Sequence, residues 1–488
     1  MRVSRRGFLA TVGATAGAAY TSEVPLIAEI SSPLAGYPRL ETRLRAKADE
    51  RVRSMPGSGL NLAPADGAFA TALDQLDVAS GPAGRLKIPP DGLLTFAIDV
   101  PATTWVDGEL TLDPADDLRP GLRVTVLCDT TVVGTPMVSA AEWAVKEITD
   151  AAPRLEGKRP RTAVPLGSWK MRAGRRYMTV AGPHFRDGGT FVRLRVKVLN
   201  RPIEDPVYSF AFITDTHVRL NGREDWMNRK MGEACAPELT RTLDELTHEG
   251  IAFAIHGGDM TDTATRAEFE VVRDMLRSQP LQVYGCIGNH DRYLPTSRDD
   301  ARELLASHFP GGQLDYTFTR GPLRFVVLDV EIEDLKVRSR KLLWLEDTLR
   351  SDPETPTVFV WHYPAFNRGG DSTCGFRLQD WSQLGRDVLL KTLTDVPNVV
   401  ACINGHDHWD EVNYHDGLTF VQNAAFVEWP NSYRLYHVYQ DRLEWEVRQV
   451  RNRGFIRESF LPDKAMSWMI ATGETDLSGS VPFVRQRR

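Results

Sequence analysis

Cysteine is scarce in this chain: five residues in 488, Cys128, Cys235, Cys286, Cys374 and Cys402, with no C-x-x-C pair among them. So odd and scattered a set argues against a disulfide framework and against a thiolate zinc or redox site. Cys286 and Cys402 lie inside apolar runs and read as small buried hydrophobes. Basic excess is lacking too, with 59 Lys plus Arg against 65 Asp plus Glu and a net charge of −6. General nucleic-acid binding therefore has no electrostatic footprint, and any phosphate recognition has to be local. Beyond the N-terminal segment, no apolar run reaches the ~18 residues needed to cross a bilayer. Internal repeats and low-complexity tracts are missing as well. What is there is 42% hydrophobic and 25% charged, the composition of a chain that folds around buried cores. Its length suits about two to four domains.

The first residues make a separate case. Ser4-Arg5-Arg6-Gly7-Phe8-Leu9 sets two arginines before an Ala/Gly-rich apolar run reaching Ala19, with Ala16-Gly17-Ala18 as a small-residue cleavage site. This resembles a twin-arginine export signal, read here as residues 1–24. The resemblance implies export of a folded protein to the periplasm or the extracellular space, anchored only if the signal is retained. A mature chain with no transmembrane helix is expected.

Residues 25–84 read as a spacer: a charged, weakly amphipathic helix over 38–55, then a Gly/Pro/Ala/Asp-rich linker. From 85 to 202, short strand-like runs (93–98, 122–127, 176–180, 190–198) follow one another without helices, which predicts a smaller β-sandwich, jelly-roll or immunoglobulin-like. The stretch 166–177 with 192–196 is similar to the last strands of carbohydrate-binding jelly rolls, making sugar contact a weak expectation. Trp169 and Tyr177 in it read more readily as core than as ligand platforms. From 203 to 450, apolar strands alternate with helices: 209–214, 237–249, 251–256, 263–277, 281–287, a hairpin at 316–319 and 323–329, then 340–350, 357–361 and 398–403. A last pair, 411–414 and 419–422, turns through His415-Asp416-Gly417. That period predicts an α/β domain, and 451–488 reads as a C-terminal extension.

Chemistry-bearing residues sit where the apolar strands stop: Asp215-Thr216-His217, Gly258-Asp259 with Asp262, Gly288-Asn289-His290-Asp291, His362, and Gly405-His406-Asp407-His408. In an open α/β sheet such strand ends gather into one crevice. Singly, each Asp or His is a turn residue or a satisfied core group. Together and in this order, D-x-H, G-D-x-x-D, G-N-H-D, an isolated His and G-H-x-H resemble the calcineurin-like metallophosphoesterase superfamily over about 210 residues. Independently, carboxylate, imidazole and amide oxygen without thiolate suit two divalent or trivalent Fe, Mn or Zn ions.

The resemblance implies a two-sheet α/β sandwich and a two-metal phosphoesterase that attacks with metal-bound hydroxide. It implies that Asp215, His217, Asp259 and His408 hold one ion, that Asp259, Asn289, His362 and His406 hold the other, and that Asp259 bridges. His290 then stands beside the metals as general acid, with Asp262 orienting it and Asp291 as a structural partner. Asp262, where purple acid phosphatases carry Tyr, and His217 separate the chain from that group. His256 is assigned to strand packing. The inserts 218–235 and 364–377 supply candidate substrate contacts, Arg223, Arg229, Lys230, Arg368 and Arg377, with Trp226 or Phe366 to stack or cover. The leading expectation is an exported phosphodiesterase acting on a small phosphate ester. Phosphomonoester hydrolysis is the alternative within the class, and a non-catalytic carbohydrate-binding or interaction protein the alternative outside it.

Overall fold

The computed structural model describes residues 75–79, 86–87, 93–113, 125–134, 163–181, 190–222, 225–226, 228–329, 339–365, 383–461 and 476–484. The signal segment, nearly all of the spacer, Cys374, Arg223, Arg368, Arg377 and Phe366 lie outside them. The described residues form two compact units, one holding those up to 205 together with 449–461, the other holding 206–448 and 476–484.

The first unit is built of antiparallel strands, in keeping with its helix-free sequence pattern. They are β1 (Gln75–Ala79), β2 (Leu86–Lys87), β3 (Leu93–Val100), β4 (Thr104–Asp113), β5 (Thr125–Cys128), β6 (Thr131–Gly134), β7 (Ala163–Met171), β8 (Gly174–Ala181) and β9 (Thr190–Leu199). One sheet runs β1-β9-β4-β7 with β2 also on β9, and the other strands pair β3-β8-β5-β6. Val106, Leu110, Trp169, Met178 and Leu194 are buried on them. Trp169 and Tyr177 are both under 10% exposed, so neither offers a sugar-stacking face. Residues 104–113 were not expected as a strand. Asp107, Gly108 and Glu109 break its apolar alternation, and pairing with two neighbours overrides that local signal. A short helix, Arg453–Ser459, is capped by the Asn452 side chain.

In the second unit the strands alternate with helices as expected. The elements are β10 (Tyr208–Ile213), α1 (Gly232–His248), β11 (Phe253–His256), α2 (Arg266–Arg277), β12 (Val283–Gly285), α3 (Ser297–Leu304), β13 (Tyr316–Arg320), β14 (Leu323–Val327), α4 (Arg340–Ser351), β15 (Thr357–Val360), α5 (Gln383–Asp395), β16 (Val399–Asn404), β17 (Glu411–His415), β18 (Leu418–Gln422), β19 (Ser432–Val438), β20 (Arg442–Gln449) and β21 (Ser478–Pro482). α1 starts five residues before Pro237, which therefore sits inside the helix and not at its start. α2 starts on a capping box between Thr265 and Glu268. β21 comes from the expected C-terminal extension and pairs with β20.

Two mixed sheets result, β12-β11-β10-β19-β20-β21 and β13-β14-β15-β16-β18-β17. β10, β11 and β12 are parallel to one another, as are β14, β15, β16 and β18. The sheets meet through aromatic rings: Phe210 and Phe253 stand edge-on to Phe325, 5.3 and 5.6 Å between centroids. On the outer face of the second sheet, Leu345 and Leu349 of α4 and Leu389 and Leu393 of α5 bury Val326, Phe359 and Cys402. Parallel pairing points the carboxyl ends of the strands the same way, and the loops leaving them carry the motif residues. Among the described residues no helix is long and apolar enough to cross a membrane.

Candidate metal centre

The loops after β10 and β11 run on as a ladder past the strands: the N–H groups of Asp215 and His217 donate to the carbonyls of Gly258 and Asp259 at 3.0 and 2.9 Å. Gly405 N–H likewise donates to His362 O, tying the loop after β16 to the one after β15. Five of the seven expected ligands take left-handed backbone: Asp215 (φ 56°), His217 (40°), Asp259 (53°), His406 (78°) and His408 (63°). Each costs about 1–3 kcal/mol in a non-glycine residue, and such strain concentrates at sites that need a fixed geometry. Two motif glycines are there for close approach. A Cβ on Gly288 would collide with the Asp259 carboxylate, and one on Gly405 with Thr214 and the Asp215 carboxylate.

All seven residues are brought together, in two overlapping groups. In the first, Asp215 Oδ2 accepts from Thr214 Oγ1 (2.6 Å) and from His406 N–H (3.0 Å). Its other oxygen, Oδ1, is buried with no hydrogen bond. That oxygen faces His408 Nε2 at 3.4 Å and His217 Nε2 at 3.8 Å, and the two imidazole nitrogens are 3.2 Å apart. The Nδ1 of His217 is 3.0 Å from Asp262 Oδ1, and the Nδ1 of His408 is bonded to Glu428 Oε1. Each Nδ1 therefore carries the hydrogen, and both Nε2 lone pairs turn inward beside the unpaired carboxylate oxygen.

In the second group, Asp259 Oδ2 lies 3.2 Å from His362 Nε2 and 3.6 Å from His217 Nε2, so one carboxylate oxygen faces both groups. His362 donates its Nδ1–H to Gly257 O at 2.9 Å and faces Asn289 Oδ1 at 3.2 Å with Nε2. His406 completes this group, its ring 5.1 Å from that of His362.

The electrostatics match the geometry. Burial alone lowers the pKa of His408, but Glu428 and Asp215 outweigh it and raise it to about 9. His362 is likewise raised to about 9, by Asp259 and Asp215 against the effect of burial. Burial keeps His217 well below the usual range and His406 down to about 3, so both stay neutral. Each group of converging acceptors thus draws one positive charge, a proton or a metal ion. An orphaned buried carboxylate oxygen, inward lone pairs and a donor set of O and N atoms fit two cations of the Fe, Mn or Zn kind.

Around these groups some expectations change. Asp262 does meet His290, but through its backbone carbonyl, 2.7 Å from Nδ1. Its carboxylate serves His217 and accepts from Arg219 Nη1 at 2.7 Å, because the residue follows directly on the ladder that brings Val218 to Thr261. Lys230, expected at substrate, is buried with Nζ 3.5 Å from Asp262 Oδ1. Arg229 is half-buried and forms an isolated antiparallel bridge with Asp225. Trp226 stands edge-on to His408 at 4.4 Å. Asp291 staples two motif loops, accepting from the N–H groups of Met260, Thr261 and Gly288. Burial raises its pKa to about 6. His256 is buried in β11, bonds Thr216 Oγ1 and is lowered to about 4 by burial, a neutral core imidazole. Sequence reasoning missed Glu428 and Arg219. For Glu428 the available signal was a lone acid inside the apolar run 424–430.

Residues 208–410 match the family described as calcineurin-like phosphoesterase. A probable glycerophosphodiester phosphodiesterase of Arcobacter nitrofigilis is 26% identical over 202 residues, 40% of this chain and 70% of that one. A 3',5'-cyclic-nucleotide phosphodiesterase of Nostoc is 24% identical over 206 residues, 41% of this chain and 71% of that one. Among solved structures, a dimetal phosphatase from Danio rerio is 19% identical with a TM-score of 0.42, covering 50% of this chain and 97% of its own.

Proposed function

We propose that this protein is a phosphodiesterase with His290 as general acid, within the metal-dependent phosphoric ester hydrolases that the family match over residues 208–410 supports. The observation that carries this reading is the place of His290. Its ring packs edge-on against that of His217, 4.4 Å between centroids, and its side chain keeps 17% exposure. Nδ1 is held 2.7 Å from the Asp262 carbonyl, with Asp262 Oδ1 3.6 Å away, so Nε2 is the ring nitrogen left to deliver a proton to a departing alkoxide.

Two ions held by Asp215, His217, Asp259, Asn289, His362, His406 and His408 would neutralise phosphoryl charge and lower the pKa of water toward neutrality. The chain's own residues then fix the carboxylates, keep the four imidazoles in orientation and deliver the proton. Preference for a diester is supported by charge: a diester presents one negative charge and a monoester up to two. Lys230 and Arg219, two cations beside the first group, are turned onto Asp262, and Arg292 bonds Tyr363 Oη. The activities for which the two relatives are named point the same way.

A substrate panel with His290→Ala tests both parts. Diesters should be turned over faster than the matching monoesters. The variant should lose about 10²–10⁴-fold on alkyl esters and much less on nitrophenyl esters, whose leaving group needs no proton, with metal content unchanged. Equal losses on both leaving groups would refute the acid, and faster monoester turnover the diester preference.

The N-terminal unit is read as a β-sandwich on its two sets of antiparallel strands, β1-β9-β4-β7 and β3-β8-β5-β6, and the protein as exported on Arg5-Arg6 and the apolar run after them. Changing both arginines to Lys should hold the unprocessed chain in the cytoplasm. Its undiminished appearance outside the inner membrane would point to another route.

A further inference from the structure

We propose that Glu428 is a positioning residue for the metal centre: it fixes the His408 ring with its Nε2 lone pair toward Asp215 and His217, and ties that orientation to Trp226 and the stretch 228–231. Glu428 is wholly buried in the run Ala424–Pro430, where a carboxylate is costly unless both oxygens are engaged. Both are. Oε1 receives His408 Nδ1–H, and Oε2 receives the backbone N–H of Asn228 at 2.8 Å. Among the described residues its ion-pair partner is His408, with no Lys or Arg on it. A charge kept there serves an imidazole and a loop.

The loop is fastened at three points to the same short stretch. Besides the bond to Oε2, Asn228 Nδ2 donates to Trp429 O at 3.3 Å and Met231 N–H to Val427 O at 2.9 Å. That places Trp226 edge-on against the His408 ring at 4.4 Å, while His217 packs on the same ring at 5.1 Å. The ring is thus held by a carboxylate behind and an indole beside. Carboxylate–imidazole pairs fix the tautomer and raise the basicity of a ligating nitrogen, and here the pair also carries the loop.

Glu428→Gln breaks the arrangement by counting donors. Two N–H groups, from His408 and Asn228, need two acceptors, and a carboxamide offers one acceptor oxygen and an NH₂. Either the loop loses its bond, or the amide donates to Nδ1 and forces the hydrogen onto Nε2, where it opposes a cation. The expected result is a loss of about 10–100-fold in metal affinity confined to one of two ions, measured by chelator competition with zinc and with cobalt. One component of the cobalt absorption spectrum should change, and kcat should fall with KM nearly constant. Glu428→Asp keeps the charge and both acceptors and should lose less.

Two ions bound with wild-type affinity and an unchanged spectrum in Glu428→Gln would overturn the proposal. So would equal weakening of both ions, which is what general loosening predicts. Should the Gln variant fail to fold, Glu428→Asp decides by the same competition: weakening confined to one ion supports the assignment, and wild-type or evenly reduced affinity removes it. The inference rests on the fit of the residues to metal, not on the preference for diesters, so the metal titration and the substrate panel can fail separately.

Discussion

The His408 side and the His362 side of the centre share Asp259 but are built differently. On the first, each imidazole leans on a carboxylate, His217 on Asp262 and His408 on Glu428. On the second, His362 leans on the backbone carbonyl of Gly257, and the neutral Asn289 stands where the first side has Asp215. A carboxylate partner pushes negative charge onto the ring, and a carbonyl does so far less. Two positions made from similar residues therefore differ in charge through what lies one bond behind them.

The largest effect should come from removing what the two sides share. Asp259→Asn deletes the charge facing both His217 and His362, so occupancy should fall at both positions and turnover should be lost. Elemental analysis beside an activity assay checks this; two ions and normal turnover would end the paired-ion reading. A smaller effect should come from making the sides more alike. Asn289→Asp adds a charge only on the His362 side and should tighten the weaker ion about tenfold, with the other unchanged. Weaker binding there would mean that shape, not charge, limits that side.

The smallest effect concerns the metal-free protein, in which a proton takes the place of each ion. His408 and His362 have folded-state pKa values of about 9, above the ~6.5 of an unfolded chain. Their stabilisation is fully present below ~6.5 and is lost as pH rises through about 9. Chelated protein should accordingly show a Tm that falls across that window, followed by calorimetry, whereas loaded protein should hold its Tm as deprotonated ligands bind metal better. A flat or rising Tm in the chelated sample would remove the proton from one or both sides.

Much of the second unit could be read in advance because its strands are continuous apolar runs ending in Asp, Gly or His, as with Ser209–Thr214 or Thr357–Trp361. The turn at His415-Asp416-Gly417 was legible for a similar reason: Asp416 and Gly417 both take positive φ, which favours those residue types. The strand Thr104–Asp113 was not, since acidic residues and a glycine interrupt its pattern and only its neighbours make it a strand.

At the site, the order of the motifs at the strand ends and the family resemblance they carry brought forward Asp215, His217, Asp259, Asn289, His362, His406 and His408, and metal chemistry restricts which side chains can serve as parallel strands restrict where they sit. Which oxygen of Asp262 meets His290, where Lys230 turns, and that Glu428 stands behind His408 were decided only in three dimensions. These are contacts between loops 20 to 200 residues apart in the chain. No local pattern encodes them, because a supporting hydrogen bond requires only an acceptor at the right point in space, and a backbone carbonyl or any carboxylate in the chain can supply one.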